Sequence, residues 1–206
     1  MAKDSKFIVG ITGGSGTGKT TLIRRLRNDF ADQIAILSLD NYYKPKKFQQ
    51  IDNNGVVNFD LPEALNTTQL EKDFLALLGN EIVYRKKYNF NNPSQKETGV
   101  RIEPKSIILV EGLFVMHYPF FKTKLDYSVY LSVNKKLQFE RRIQRDIRER
   151  NYSKSEVLYQ WQHHVIPAYE NYIKPYKKQA DLIITNNEDF DSKITSLIKV
   201  IKERLD

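Results

Sequence analysis

The chain contains no cysteine. Disulfides and thiolate metal sites are therefore excluded, and the composition fits a reducing compartment. Long hydrophobic runs are missing as well. No segment approaches the roughly 18 apolar residues that a membrane span needs. The start of the sequence, Met1-Ala2-Lys3-Asp4-Ser5-Lys6 and a short apolar stretch ending in glycines, lacks the cleavage pattern of a signal peptide. A cytoplasmic protein without a membrane partner is the expectation. Repeats and low-complexity tracts are absent too, and 40% hydrophobic with 28% charged residues is ordinary globular composition, which excludes disorder as the default.

What the chain does carry is positive charge, 33 Lys and Arg against 25 Asp and Glu, a formal net charge of +8. Nucleic acid, a membrane surface and phosphorylated small molecules all attract such a field, so the placement of the arginines matters more than the total. At 206 residues the chain suits one domain with a small insert.

Short apolar runs alternate with amphipathic segments. Lys6–Thr12, Ile34–Asp40, Ser106–Glu111, Asp126–Val133 and Asp181–Thr185 read as strands buried on both faces. Helices are expected near 19–30, 68–79, 134–150, 153–173 and 190–204, with Thr68-x-x-Glu71 as a capping box for the second. The alternation predicts an α/β fold, a doubly wound parallel sheet with helices on both faces. Two stretches break the rhythm. Residues 41–66 are polar, aromatic and turn-rich, and residues 82–103 read as a β-hairpin flap.

Gly13-Gly14-Ser15-Gly16-Thr17-Gly18-Lys19-Thr20 matches G-x-x-x-x-G-K-[ST] between a strand and a helix. Glycines let successive N–H groups close around a β-phosphate, and the helix N-terminus adds its positive dipole. Lys19 is the expected partner of the β- and γ-phosphates, Thr20 the expected Mg²⁺ ligand, and Thr21 completes the nucleotide-binding segment of a P-loop NTPase-type fold. Glu111, closing the run Ile107–Glu111, stands where a second magnesium residue belongs. Asp40, at the end of the run Ile34–Asp40, is the expected acceptor of the proton of an attacking hydroxyl, with a loop cap as the competing reading. The expected cofactors are ATP and Mg²⁺. A guanine switch protein is disfavoured, because the segment after Asp181–Thr185 reads Asn186-Asn187-Glu188-Asp189.

Arg141, Arg142, Arg145 and Arg148 share one side of a helix, with Phe139, Ile143 and Ile147 opposite. Such arginines neutralise charge on a transferring phosphoryl group. A solvated face or a nucleic-acid contact is the competing reading; no aromatic platform accompanies the helix. His117, His163 and His164 have no metal-ligand spacing, and the tyrosines of 152–176 suit core and interface positions.

Several blocks now resemble the uridine kinase (uridine–cytidine kinase) family. They are GITGGSGTGKTT at 10–21, LDNYYK at 39–44, NFDLPEAL at 58–65, Tyr88-Asn89-Phe90, VEGLF at 111–115, RRIQRDIRER at 141–150 and VIPAYENYIKPYKKQADLII at 165–184. The resemblance spans about residues 7 to 190. It implies that Asp40 is the general base for a ribose 5′-hydroxyl and that Asp60 holds the ribose hydroxyls. It also implies that Tyr43, Tyr88 and Phe90 wall the nucleobase. Arg142 and Arg145 would face the phosphate and substrate, and Gln160 would lie on the substrate side. The implied partner is a small nucleoside-like molecule, and the family suggests a homo-oligomer. The helical lid is expected near 141–155. Three positions depart from the pattern: Pro93 stands where the family usually has a base-reading histidine, and Gln95 and Tyr152 stand where it usually has arginines. Proline has no donor, so Gln95, Asn91 or Asn92 is left to supply one. Another small alcohol, such as a different nucleoside, a pentose phosphate or pantothenate, is the alternative acceptor, and a nucleotide-responsive nucleic-acid-binding protein is the alternative class.

Overall fold

The computed structural model describes residues 6–91, 96, 98–187 and 190–205. Its centre is a parallel sheet of β1 (Phe7–Gly13), β2 (Ile34–Ser38), β7 (Ile107–Gly112), β8 (Tyr127–Ser132) and β9 (Leu182–Thr185), in the order β2-β7-β1-β8-β9. Two small antiparallel ribbons lie apart from it: β3 (Gln50–Ile51) with β4 (Val57–Asn58), and β5 (Val83–Lys86) with β6 (Gly99–Ile102). The hairpin flap anticipated at 82–103 is this second ribbon, with Val83 paired to Ile102 and Lys86 to Gly99.

Side chains alternate across a strand, and here both faces are covered. Phe7, Val9 and Ile11 of β1 join Leu109, Val129, Leu131 and Ile184 on one face. There they meet Leu22 and Leu26 of α1 (Lys19–Asp29) and Ile194, Leu197 and Ile201 of α7 (Phe190–Leu205). Ile8, Leu37, Ile108, Val110 and Tyr130 point the other way, onto Leu70, Phe74 and Leu77 of α2 (Thr67–Leu78). Phe121 of α3 (Pro119–Lys122) packs edge-on against Phe74, with ring centroids 4.9 Å apart. Burying such side chains contributes roughly 1.5–3 kcal/mol each, which makes this two-layer core the main stabilising element.

Three local expectations are corrected. The cap of α2 is Asn66, whose side chain accepts the Gln69 N–H at 3.1 Å, so Thr68 lies within the helix and no Thr68/Glu71 box forms. A reciprocal capping box opens α5 (Lys154–Gln160) instead, between Ser153 and Glu156. The single helix expected at 153–173 is interrupted. After α5 come wide turns at Trp161–Val165, α6 (Ile166–Ala168) and wide turns again at Tyr169–Ile173. Pro167 within this run has no N–H to donate to the helical ladder, so a regular i to i−4 pattern cannot run through it. Finally, β2 ends at Ser38, the last residue paired with β7, and Asp40 belongs to the tight 3₁₀ turn Leu39–Tyr42.

Candidate active site

The glycine-rich loop joins β1 to α1. Gly18 caps the helix at φ 99°, and Gly16 sits at φ 80° with its Cα side turned to the carbonyl oxygen of Gln138. A Cβ on Gly16 would lie 2.8 Å from that oxygen, so the close approach needs glycine as much as the dihedral does. Three side chains fix the loop from beneath. Gln138 Nε2 donates to Ser15 O at 2.7 Å, Asn186 Nδ2 donates to Thr17 O at 2.9 Å, and Thr17 Oγ1 donates to Gly14 O at 2.9 Å. Lys19 Nζ donates to the carbonyls of Gly13 and Gly14, at 2.8 and 3.1 Å. Burial lowers the Lys19 pKa, while Glu111 and Asp40 oppose that shift.

A cavity of about 890 Å³ opens above the loop. Ser15, Gly16, Gly18, Lys19 and Thr20 line it, together with Asp40 and Glu111. Gly13, Gly14 and Thr17 lie beneath the lining, and Thr21 is exposed outside it. Burial and then Asp40 push the Glu111 carboxyl up to about 7, against Lys19 and a close hydrogen bond from the Ser38 hydroxyl. The two carboxylates, beside a threonine hydroxyl, form an all-oxygen donor set that a hard divalent cation suits. No cluster of three or more acidic, histidine or cysteine ligands exists among the described residues. A cation here would therefore be shared with water and phosphate oxygens, as Mg²⁺ commonly is.

The helix α4 (Lys135–Arg150) turns a polar stripe inward. Its buried residues are Gln138, Arg142 and Asp146, at i, i+4 and i+8, whereas Ile147 is 43% exposed. Arg141 and Arg145 line the cavity, while Arg148 is exposed outside it. Asp146 is fully buried and gathers three arginines: Arg145 Nε donates to it at 2.8 Å, Arg150 Nη1 lies 3.4 Å away and Arg142 Nε 3.2 Å away. The Arg142 contact is one of charge alone, since neither Arg142 Nε nor Asp146 Oδ2 has a hydrogen-bond partner among the described residues. Although burial would raise it, Arg145 and Arg142 hold the Asp146 carboxyl below the ordinary carboxylate range. Arg145 also reaches Ser15 Oγ at 3.1 Å, which ties the arginine set to the glycine loop.

The far end of the cavity is aromatic. The Tyr43 ring lies 5.2 Å from Tyr88 and 5.5 Å from Phe90, and Phe59 stands 6.2 Å away. The Arg150 guanidinium covers Phe90 at 4.1 Å. Asp60 is buried at 8% exposure, 3.5 Å from Arg142 Nη1, and Gln160 Oε1 accepts from Arg142 Nη2 at 3.4 Å. Tyr152 lines this end, and Asn91 Nδ2 donates to Arg150 O at 3.0 Å. Pro93 and Gln95 lie outside the described residues.

The structure thus brings together Lys19, Thr20, Asp40, Glu111, Arg142, Arg145, Tyr43, Asp60, Tyr88, Phe90 and Gln160 around one cavity. Sequence reasoning missed Gln138, Asn186, Asp146 and Arg150. The first two support the loop from positions more than 120 residues away, which no local pattern reveals. Asp146 and Arg150 do leave a trace, the four-residue spacing Gln138, Arg142, Asp146, Arg150.

Comparison with known proteins agrees with this geometry. The family model described as "Phosphoribulokinase / Uridine kinase family" matches residues 8–192. A uridine kinase of Clostridium perfringens is 31% identical over 200 residues, covering 97% of this chain and 96% of the relative. A uridine-cytidine kinase B of Dictyostelium discoideum is 32% identical and covers 97% and 82% respectively. The solved phosphoribulokinase of Rhodobacter spheroides shares the fold at TM-score 0.62 and 15% identity, over 89% of this chain and 71% of that one. No helix among the described residues is long and apolar enough to cross a membrane. A P-loop cradle and a carboxylate pair facing an arginine helix across one cavity, matched by a family model over most of the chain, make this a kinase belonging to the phosphoribulokinase / uridine kinase family.

Proposed function

We propose that the chain transfers the γ-phosphate of ATP to the 5′-hydroxyl of a nucleoside, uridine or cytidine, giving ADP and the nucleoside monophosphate. The observation that carries the reading is the division of one cavity: a phosphate-binding loop with Lys19 at one end, aromatic rings with the buried Asp60 at the other, and Asp40 on the wall they share. The rings suit the faces of a planar base, and a buried carboxylate suits a ribose diol. Asp40 takes the proton as the 5′-oxygen attacks the γ-phosphorus. The bond from that phosphorus to the β-bridging oxygen breaks, and ADP leaves. Lys19, Arg142 and Arg145 balance the charge on the equatorial oxygens. Thr20 and Glu111, with Asp40 nearby, would hold Mg²⁺, which would supply neutralisation of phosphate charge. In this reading the chain is one kinase domain, 41–66 and 82–103 are its acceptor inserts, and 141–155 closes over the site to exclude water. Neither nucleic acid nor membrane takes part.

One observation favours a second acceptor class. Lys46, Lys87 and Lys96 also line the acceptor end, and this positive rim suits an alcohol that already carries a phosphate. Magnesium-dependent ADP formation decides, with uridine, cytidine, purine nucleosides, pantothenate and ribulose 5-phosphate offered separately. Turnover with uridine or cytidine is expected. Turnover confined to the phosphorylated sugar would overturn the nucleoside assignment and keep the kinase.

A further inference from the structure

The β3–β4 ribbon pairs only Gln50 with Asn58 and Ile51 with Val57. A ribbon of this size is marginal by itself. Its apolar side chains do not anchor it either, since Ile51 and the preceding Phe48 are each 64% exposed. Yet the chain leaving the ribbon supplies Phe59 and Asp60 to the acceptor end of the cavity. Something other than hydrophobic burial must set where this strand delivers them.

Gln49 secures the base, with Nε2 donating to Lys44 O at 2.7 Å and Ala64 O at 3.1 Å. At the tip, Asp52 is a hub. Its Oδ1 accepts the N–H groups of Asn54 and Val56, each at 2.9 Å, which shapes the turn. Its Oδ2 faces outward to the segment after α4, where Tyr159 OH donates to it at 2.8 Å and His164 Nε2 lies 2.7 Å away. Asn54 Nδ2 donates in turn to Tyr159 OH at 2.7 Å. Desolvation would raise the Asp52 pKa, but the hydrogen bonds from His164, Val56, Tyr159 and Asn54 hold it well below the ordinary carboxylate range. An ionised carboxylate only accepts, so His164 Nε2 carries a proton. His164 itself is 2% exposed and belongs to the cavity wall, on the same segment as Gln160.

We infer that Asp52, Tyr159 and His164 form a positioning clasp that holds the ribbon against the α5 segment and thereby fixes the spacing of Asp60 and Gln160 about the acceptor. Arg142 spans that gap only through contacts of 3.5 and 3.4 Å, too long to set it. The nucleotide end is fixed independently, by Gln138 and Asn186. Loosening the clasp therefore weakens acceptor binding and spares ATP. The kinetic half of this inference rests on the nucleoside kinase reading above.

The test compares wild type, His164→Ala, His164→Gln and Tyr159→Phe. Glutamine presents an N–H near the Nε2 position and serves as the conservative rescue. With uridine as acceptor, His164→Ala is expected to raise the acceptor KM about 10-fold or more while the ATP KM stays within about twofold, the loss of one hydrogen bond to a charged group being of that order. His164→Gln should recover most of it, and Tyr159→Phe should give a smaller rise. An unchanged acceptor KM, a parallel rise in the ATP KM, or equal loss in the Ala and Gln variants would overturn the clasp as a positioning device. Hydrogen exchange in residues 50–58 reads the same contact without any acceptor. Faster exchange there in His164→Ala, with α1 unchanged, is the expected result, and unchanged exchange overturns the inference. If wild type fails to phosphorylate uridine, the failure belongs to the substrate assignment, and the exchange experiment still decides the clasp.

Discussion

The two ends of the cavity are built on different principles. The nucleotide end is backbone: glycine dihedrals, a helix terminus and carbonyls held by buried amides from α4 and from the strand end beyond β9. The acceptor end is side chain: four rings, a buried carboxylate and two small ribbons, of which β3–β4 is held by polar contacts and β5–β6 by Val83 and Ile102 in the core. A backbone cradle tolerates little change, because its ligand-binding groups cannot be exchanged one at a time. A side-chain pocket can be retuned residue by residue. That contrast accounts for an intact glycine loop alongside departures such as Tyr152 at the other end.

Substitutions can break this comparison or sharpen it. The largest effect is expected from Lys19→Ala, which should lower turnover by about 10³-fold or more by removing the cation that the proposed reading assigns to the β- and γ-phosphates. Initial-rate kinetics with saturating ATP measure it, and retention of more than a tenth of the activity would contradict the role. Asp146→Asn should act on stability as well as rate. Removing the shared partner of Arg142, Arg145 and Arg150 in a buried setting costs about 3–5 kcal/mol. For a chain of this length that corresponds to a midpoint lower by about 6–20 °C in a thermal melt. Asp60→Ala should raise the acceptor KM by about 10–100-fold with little change in that for ATP, and unchanged acceptor kinetics would remove it from the ribose role. Smallest of all, Phe90→Leu should weaken acceptor binding only about 2- to 10-fold, the worth of aromatic contacts beyond their buried area. An effect larger than that of Asp60→Ala would reverse the ranking of ring and carboxylate.

The sheet and the loop were legible because their signals are local. Near-continuous apolar runs mark strands covered on both faces, and the glycine loop lies between a strand and a helix in the required order. What was not legible depends on where an element faces. The arginines of α4 read as phosphate-facing, but nothing in the sequence shows the buried Asp146 that gathers them or the exposure of Ile147 on the apolar side. Asp40 lines the cavity from the Leu39–Tyr42 turn and not from the strand end, because pairing with β7 stops at Ser38. Asn66 took the cap assigned to Thr68, because the chain enters α2 two residues earlier than the Thr/Glu pattern suggests. His164 looked idle in sequence, as its partner Asp52 is 112 residues away.

The central claim is that the nucleotide end works as a unit and that Asp40 adds the chemistry between the two ends. It is tested most directly with Asp40→Asn, by calorimetric titration of magnesium–ATP and by single-turnover phosphoryl transfer to uridine. The account predicts ATP affinity within about threefold of wild type and a transfer rate lower by about 10²–10⁴-fold, the usual contribution of general acid–base catalysis. Comparable loss of both would contradict it and make Asp40 chiefly an anchor for the metal and nucleotide.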